Sequence, residues 1–467
     1  MKINNKLILP LTISIVALAA ILISPACKKN HVENRNLYQA PTLVANAVSP
    51  DAPLCGAIKG TMLSGYTYTI GCDVIVNAGD TLTIQPGVTI NVTRGYGIYV
   101  QGSLFSLGTQ TQPVYMTVKG AVKQDNPSVS WAADSALTGL WTGITADVNC
   151  PWLVLKWTHI EFAGNKYSKN APSVTGASPG SKAYAILFQN PLGYFIMEDS
   201  WLYGSTDDAI RVNGGKLSVM RNTFEKTGST GGESLNMKAG TVGDVAYNVF
   251  VGSATNGSKA SNKGVSTIQC NVNMYNNTYI DCGYRQSSPG GRGASIDYEE
   301  GARGYAYNNL IVDCRIGLRI VNIPPADTIN MHYGNTYNYG DSLAITNQFY
   351  PTAYITHPEP TDIPAPSSFL PANYTLGAVY NGSSVVSKNN PLFVNFPLPQ
   401  YLYHQYDFSG SYNFTLQPAS PAIGKGYTGF APLAVVPVDA KYGATQITYP
   451  GKDIGAFQSN GTGNLHF

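Results

Sequence analysis

Three observations predict an all-β fold, a right-handed parallel β-helix with three short strands per coil. An Asn-marked segment recurs every 22 to 42 residues, short alternating runs flank each copy, and the composition favours turns over charge. The 467 residues carry 29 Lys and Arg against 27 Asp and Glu, a net charge of +2. Charged residues make up 12% of the chain, about half of the ~25% usual for soluble domains. Gly contributes 48 residues, Pro 29 and Tyr 31. This balance excludes a coiled coil, a charged disordered tail and a nucleic-acid binder with a strong positive field. The apolar fraction of 43% suffices for a sizeable core.

Taken in chain order, the first 26 residues are an address. Lys2 and Lys6 precede an uncharged run from Leu7 to Ile23, which ends in Ser24, Pro25, Ala26 and Cys27. A basic flank, a short apolar run and small residues at its end describe an export signal, not a membrane span. Ser24-Pro25-Ala26-Cys27 resembles the lipobox of bacterial lipoproteins. That resemblance implies lipidation of Cys27 and residence at the outer membrane or cell surface, with the lipid as the only membrane contact. Residues 27–54 read as the lipidated Cys and a flexible tether, in which polar Lys28 to Pro50 would reach roughly 25 Å as a flexible coil. Cys55 and Cys72 follow at the start of the body. If bridged in an exported chain, they would add ~3 kcal/mol. No Cys-x-x-Cys occurs, which excludes zinc-ribbon and thioredoxin readings.

The body is expected over 55–340. Gly79 to Ile90 reads as strand, Pro-Gly turn, strand. The repeat is clearest where Asn276-Asn277-Thr278-Tyr279-Ile280-Asp281-Cys282 returns as Asn308-Asn309-Leu310-Ile311-Val312-Asp313-Cys314. Counting from Thr158, through Ser200, Asn222, Asn248, Asn277 and Asn309 to Asn335, the spacings are 42, 22, 26, 29, 32 and 26. The long first gap holds a polar insertion from Asn165 to Lys182. Two places after each anchor stands a large apolar residue: Ile160, Leu202, Phe224, Phe250, Tyr279, Ile311 and Tyr337. Stacked coils bring equivalent residues ~4.8 Å apart. Asn suits the bend because it tolerates a left-handed backbone and can bond to the Asn of the next coil. Cys282 and Cys314 would then be stacked, as buried thiols or as a disulfide. Residues 341–467 are expected to be closing coils and loops of the same domain.

The Gly79–Ile90 stretch, together with Asn390-Pro-Leu-Phe-Val394, Ser420-Pro-Ala-Ile-Gly424 and Asp453-Ile-Gly-Ala-Phe457, resembles the opening and closing segments of secreted β-helix proteins of the pectate-lyase-like group. In those proteins the substrate groove lies on the strand that follows the Asn bend and its long loop. The corresponding strand here carries Arg211, Asn236, Lys259, Asp297 and Arg319 at aligned outward positions, with Lys238 and Glu299 two places further on. The resemblance implies a groove for an extended polysaccharide; the plain alternative is a solvated face. It also implies Asp207 and Asp208 as Ca²⁺ ligands and Lys238 as the base of a uronate lyase, its pKa lowered by Arg211 and Lys259. An Arg at 211 where that family has an Asp leaves the ion only two carboxylates.

Other catalytic signals are weak. Gly176-Ala-Ser178-Pro-Gly180 sits in a Pro-interrupted loop rather than a strand-to-helix elbow. The six His are scattered without metal spacing, and no phosphate-binding Gly loop is present. Asp297 and Glu299 could form a hydrolytic acid pair. The leading expectation is a monomeric, lipid-anchored surface protein that binds or helps process polysaccharide. Its rivals are a Ca²⁺-dependent lyase and a purely structural or adhesive surface protein.

Overall fold

The computed structural model describes residues 38–41, 46–123, 132–173, 177–286, 293–321, 323–350, 356–375, 380–396, 398 and 412–466. The export signal, Cys27, Gly176 and Arg292 lie outside the described residues.

The chain is a parallel β-helix. The first of its three sheets contains ten strands, from Gly60–Met62 to Met331–Gly334, paired in chain order one coil at a time. The second sheet ends at Tyr337–Tyr339 and the third at Arg319–Ile320. Long strand Thr67–Val76 turns a corner and belongs to both of them: Tyr68 pairs with Ile90 in the second, and Ile75 with Tyr99 in the third. A parallel strand returning to the same sheet takes a right-handed crossover, so each sheet adds one strand per turn.

Alternation decides what is buried. In the second sheet, Tyr68, Ile90, Met116, Ile160, Leu202, Phe224, Phe250, Tyr279 and Ile311 follow one another in register. All are buried in the interior cluster. Phe224, Phe250 and Tyr279 stack with ring centroids 4.8 Å apart. Each such contact adds roughly 0.5–1.5 kcal/mol beyond area burial.

The bend between the first and second sheets uses two consecutive residues. Asp199, Arg221, Tyr247, Asn276, Asn308 and Asn335 are left-handed, with φ between 48 and 59°. The residue after each is the stacking position. There the backbone N–H groups of Ser200, Asn222, Asn248 and Asn277 donate to Oδ1 of Asn222, Asn248, Asn277 and Asn309, at 2.9–3.1 Å. Nδ2 of Asn222, Asn248, Asn277 and Asn309 donates inward to the carbonyls of Met197, Val219, Val245 and Met274. Two roles that the sequence reading joins in one residue are thus divided between neighbours. Asn335 is left-handed and outside the ladder, where Thr336 takes the place and donates to Asp362. The last bend falls one residue late, so Ile311 pairs with Asn338 rather than Tyr337.

Cys55 and Cys72 form a disulfide. Cys282 and Cys314 are buried free thiols, and the Cys282 N–H points at Cys314 Sγ at 3.5 Å.

The C-terminal part departs from the expected closing coils. Ile363 makes one further parallel bridge, to Tyr337, and the chain then leaves the stack. The antiparallel pair Phe393–Asn395 and Asn413–Leu416 packs on the outer face of the second sheet, against Val249, Ile280, Leu310 and Tyr337. The remainder runs back over the first sheet. Asp244 accepts from the N–H groups of Leu433 and Ala434, Lys156 Nζ donates to the Ala440 carbonyl at 2.8 Å, and Glu198 accepts from Thr445. Finally Asn464 Nδ2 donates to the carbonyls of Asn222 and Tyr247.

Replacing a mid-ladder amide orphans several buried groups at once. Asn277→Ala removes the acceptor of the Asn248 N–H and the donor to the Val245 carbonyl. It should cost about 2–4 kcal/mol, read as a lowered midpoint in chemical denaturation. A midpoint equal to wild type would contradict the ladder.

Candidate functional site

The outward row of the third sheet is aligned as the sequence suggests. Arg211 pairs with Asn236, Asn236 with Lys259, Lys259 with Asp297, and Asp297 with Arg319. The inward neighbours Ile210, Val212, Leu235, Met237, Ala260, Ile296, Tyr298 and Ile320 are buried in the interior cluster. Lys238 lies two residues beyond Asn236, and Glu299 two beyond Asp297.

The row is not a solvated face. Asn236 is 1% exposed, Lys259 4%, Asp297 0% and Arg319 6%. Side chains from the loop ends fold over the strand. Asp208 Oδ2 accepts from Arg211 Nε at 3.0 Å and from Asn236 Nδ2 at 2.9 Å, while its Oδ1 accepts from the Glu233 N–H. Glu233 accepts from Asn236 and Asn256. The Arg211 guanidinium lies 4.5 Å over the Tyr184 ring. Alternation along a strand tells outward from inward, but not whether a loop covers the outward side. Tyr184 is absent from the sequence reading because the 42-residue gap hides its coil from alignment.

The charges are arranged as a network. Lys259 Nζ sits 2.7 Å from Glu299 and 3.6 Å from Glu233, and Arg319 lies 3.4 Å from Asp297. Lys238 is half-buried and makes no ion pair within 4.0 Å among the described residues. Burial, then the Lys259 and Arg211 charges, lower its pKa, while Glu233 and Glu299 pull the other way. Burial, reinforced by Asp208, pushes Glu233 up to about 7. Burial also raises Asp297 to about 7, against the opposing pull of Arg319. Glu299 is pushed up by burial, but Lys259 outweighs that and holds it below its ordinary value. Asp297 accepts no hydrogen bond among the described residues. Two carboxyls titrating near neutrality, an ionised carboxylate and an amine with a lowered pKa can together bind an anion or move a proton.

Asp207 and Asp208, the expected Ca²⁺ ligands, do not fit that ion in this arrangement. Both oxygens of Asp208 are engaged as above, and Asp207 Oδ1 accepts from the Asp208 N–H at 3.0 Å. Among the described residues no group of three or more His, Cys, Asp or Glu side chains is placed to hold a metal ion. A Ca²⁺ ion takes ~6–8 oxygens.

The raised Asp297 pKa carries a stability consequence. A carboxyl whose folded pKa of about 7 exceeds its ordinary 3.8 favours folding most at low pH, and that contribution is lost as pH rises through 7. Wild type should therefore lose thermal stability between pH 5 and 8 relative to Asp297→Asn. Parallel Tm curves for the two proteins would refute this.

No known family model and no curated protein matches this chain. Among solved structures it is similar to a crystal structure of the Dettilon tailspike protein (gp208), at 11% identity and a TM-score of 0.24. The match covers 59% of this chain and 54% of that one, so this chain spans about half of that protein.

Proposed function

We propose that this chain is an exported, lipid-anchored protein of the cell surface or outer membrane whose β-helix contacts polysaccharide through the third sheet. The observation that carries this reading is Lys238. It is a partly exposed cation without an ion-pair partner among the described residues, beside the half-exposed Arg211, at the margin of a network in which the other cations are paired. A polymer bearing carboxylates would supply the missing counter-charge, and the coil-by-coil row matches a repeating ligand in dimension. Paired and buried Lys259, Asp297, Glu299 and Arg319 would position that margin rather than touch the glycan.

A second reading, processing, is favoured by the lowered Lys238 pKa, which moves the amine in the direction a general base needs. The amine would take the proton beside a uronate carboxylate, with Arg211 next to it to stabilise the developing negative charge.

Wild-type protein should be retarded in affinity gels containing polygalacturonate or alginate, less so in high salt. Lys238→Ala should weaken that retention about tenfold. If the site processes its ligand, the same variant should abolish formation of unsaturated uronide products. Free migration of wild type through every acidic polymer would sink the binding reading. The anchor has its own assay: Cys27→Ser should end incorporation of labelled fatty acid and release the protein from membranes, whereas continued labelling would reject lipidation.

A further inference from the structure

The outer face of the second sheet carries a row of rings that the third-sheet reading leaves unused. Tyr115, His159 and Trp201 occupy paired positions in three successive coils. Tyr115 and His159 stack with centroids 4.6 Å apart and planes at 27°; His159 and Trp201 follow at 5.6 Å and 29°. The row is closed at the Trp201 end. His466 lies 6.2 Å from that ring, Lys123 Nζ lies 5.1 Å over it, and its Nε1–H donates to Glu225.

The other end is open. Tyr115 pairs with Thr89, and Thr89 with Thr67. Threonine is too short to cover an aromatic ring, so among the described residues the stack stops with one face of Tyr115 uncovered. Tyr115 is 37% exposed, and among the described residues no ring other than His159 packs on it. One step along the same strands, Thr69, Asn91 and Thr117 stand in register, exposed or half-buried. The open ring face is thus bordered by hydroxyl and amide groups. Lys123 is paired with Glu161 at 3.0 Å, and His159 is a neutral ring near pH 7 because burial, with Lys123 and His466, pushes its pKa down to about 3.

An uncovered aromatic face beside hydroxyls is complementary to a pyranose. The C–H face of the sugar stacks on the ring, and its hydroxyls exchange hydrogen bonds with Thr and Asn. A hexose is about as thick as the ~4.8 Å coil spacing, so it fits where the next ring of the row would stand. We propose that Tyr115 is the stacking platform of a binding subsite for a neutral hexose unit of a polysaccharide, seated over Thr89 and Thr67. This rests on the reading that the chain binds polysaccharide, but it places the contact on a different sheet and in a different charge class.

The test is affinity electrophoresis of the full chain in gels containing a neutral β-glucan or a galactomannan. Wild type should be retarded. Tyr115→Ala should weaken the interaction roughly tenfold, and Tyr115→Phe should stay within about twofold, since the ring rather than the hydroxyl stacks. Thr89→Trp should block binding with Tyr115 intact, by placing a ring of its own over the open face. Unretarded wild type, or Tyr115→Ala binding as wild type does, would overturn the proposal. Wild type retarded by neutral polymers but not by acidic ones would remove the third-sheet reading and support this one.

Discussion

Everything in this molecule depends on coils lying in vertical register, and the asparagine ladder is where that register is enforced. At a bend, backbone N–H groups cannot join a sheet, and an unpaired buried donor costs about 1–3 kcal/mol. Asn222, Asn248, Asn277 and Asn309 satisfy those donors from one coil to the next while anchoring their own amides to the first sheet. A slip of one residue would orphan several groups together and turn every side chain of the strand to the opposite face. The left-handed residue before each ladder position makes the corner sharp enough for the amides to meet.

Register then dictates chemistry, because whatever stands at one position must tolerate its neighbour ~4.8 Å away. Aromatic rings tolerate this well and form stacks inside the second sheet and outside it. Charges tolerate it only with a change of sign or a spacer. In the third-sheet row, neutral Asn236 separates Arg211 from Lys259, and Asp297 separates Lys259 from Arg319. Buried charges of this kind are kept by their pairing and gain little net stability over apolar residues of the same shape. Asp297 and Glu233 illustrate the cost, since both are held far above their ordinary pKa by burial.

The part of the fold legible in the sequence is the part that repeats. The Asn-marked spacing located the bends, and apolar alternation aligned Arg211 with Asn236, Lys259, Asp297 and Arg319 in their observed pairing. What failed was whatever periodicity does not encode. Burial of the row depends on loop side chains such as Asp208 and Glu233 reaching across strands, and loops have no period. The split between left-handed and ladder positions was hidden because Asn occupies both in Asn276-Asn277 and Asn308-Asn309, while Arg221 and Tyr247 reveal it. The course of residues 412–466 rests on isolated tertiary bonds such as Lys156 to Ala440, which no local pattern announces.

That returning segment changes how the molecule holds together. A bare stack of coils touches only nearest neighbours, so it can fray from either end and lose one turn at a time. Here residues near the carboxyl terminus grip Lys156, Glu198, Asn222 and Tyr247, many turns away from where the stack ends. The last part of the chain acts as a lashing drawn along the outside of a coiled rope. Unravelling a distal turn must first loosen a cord tied far back, so cooperativity that a linear array lacks is restored across much of its length.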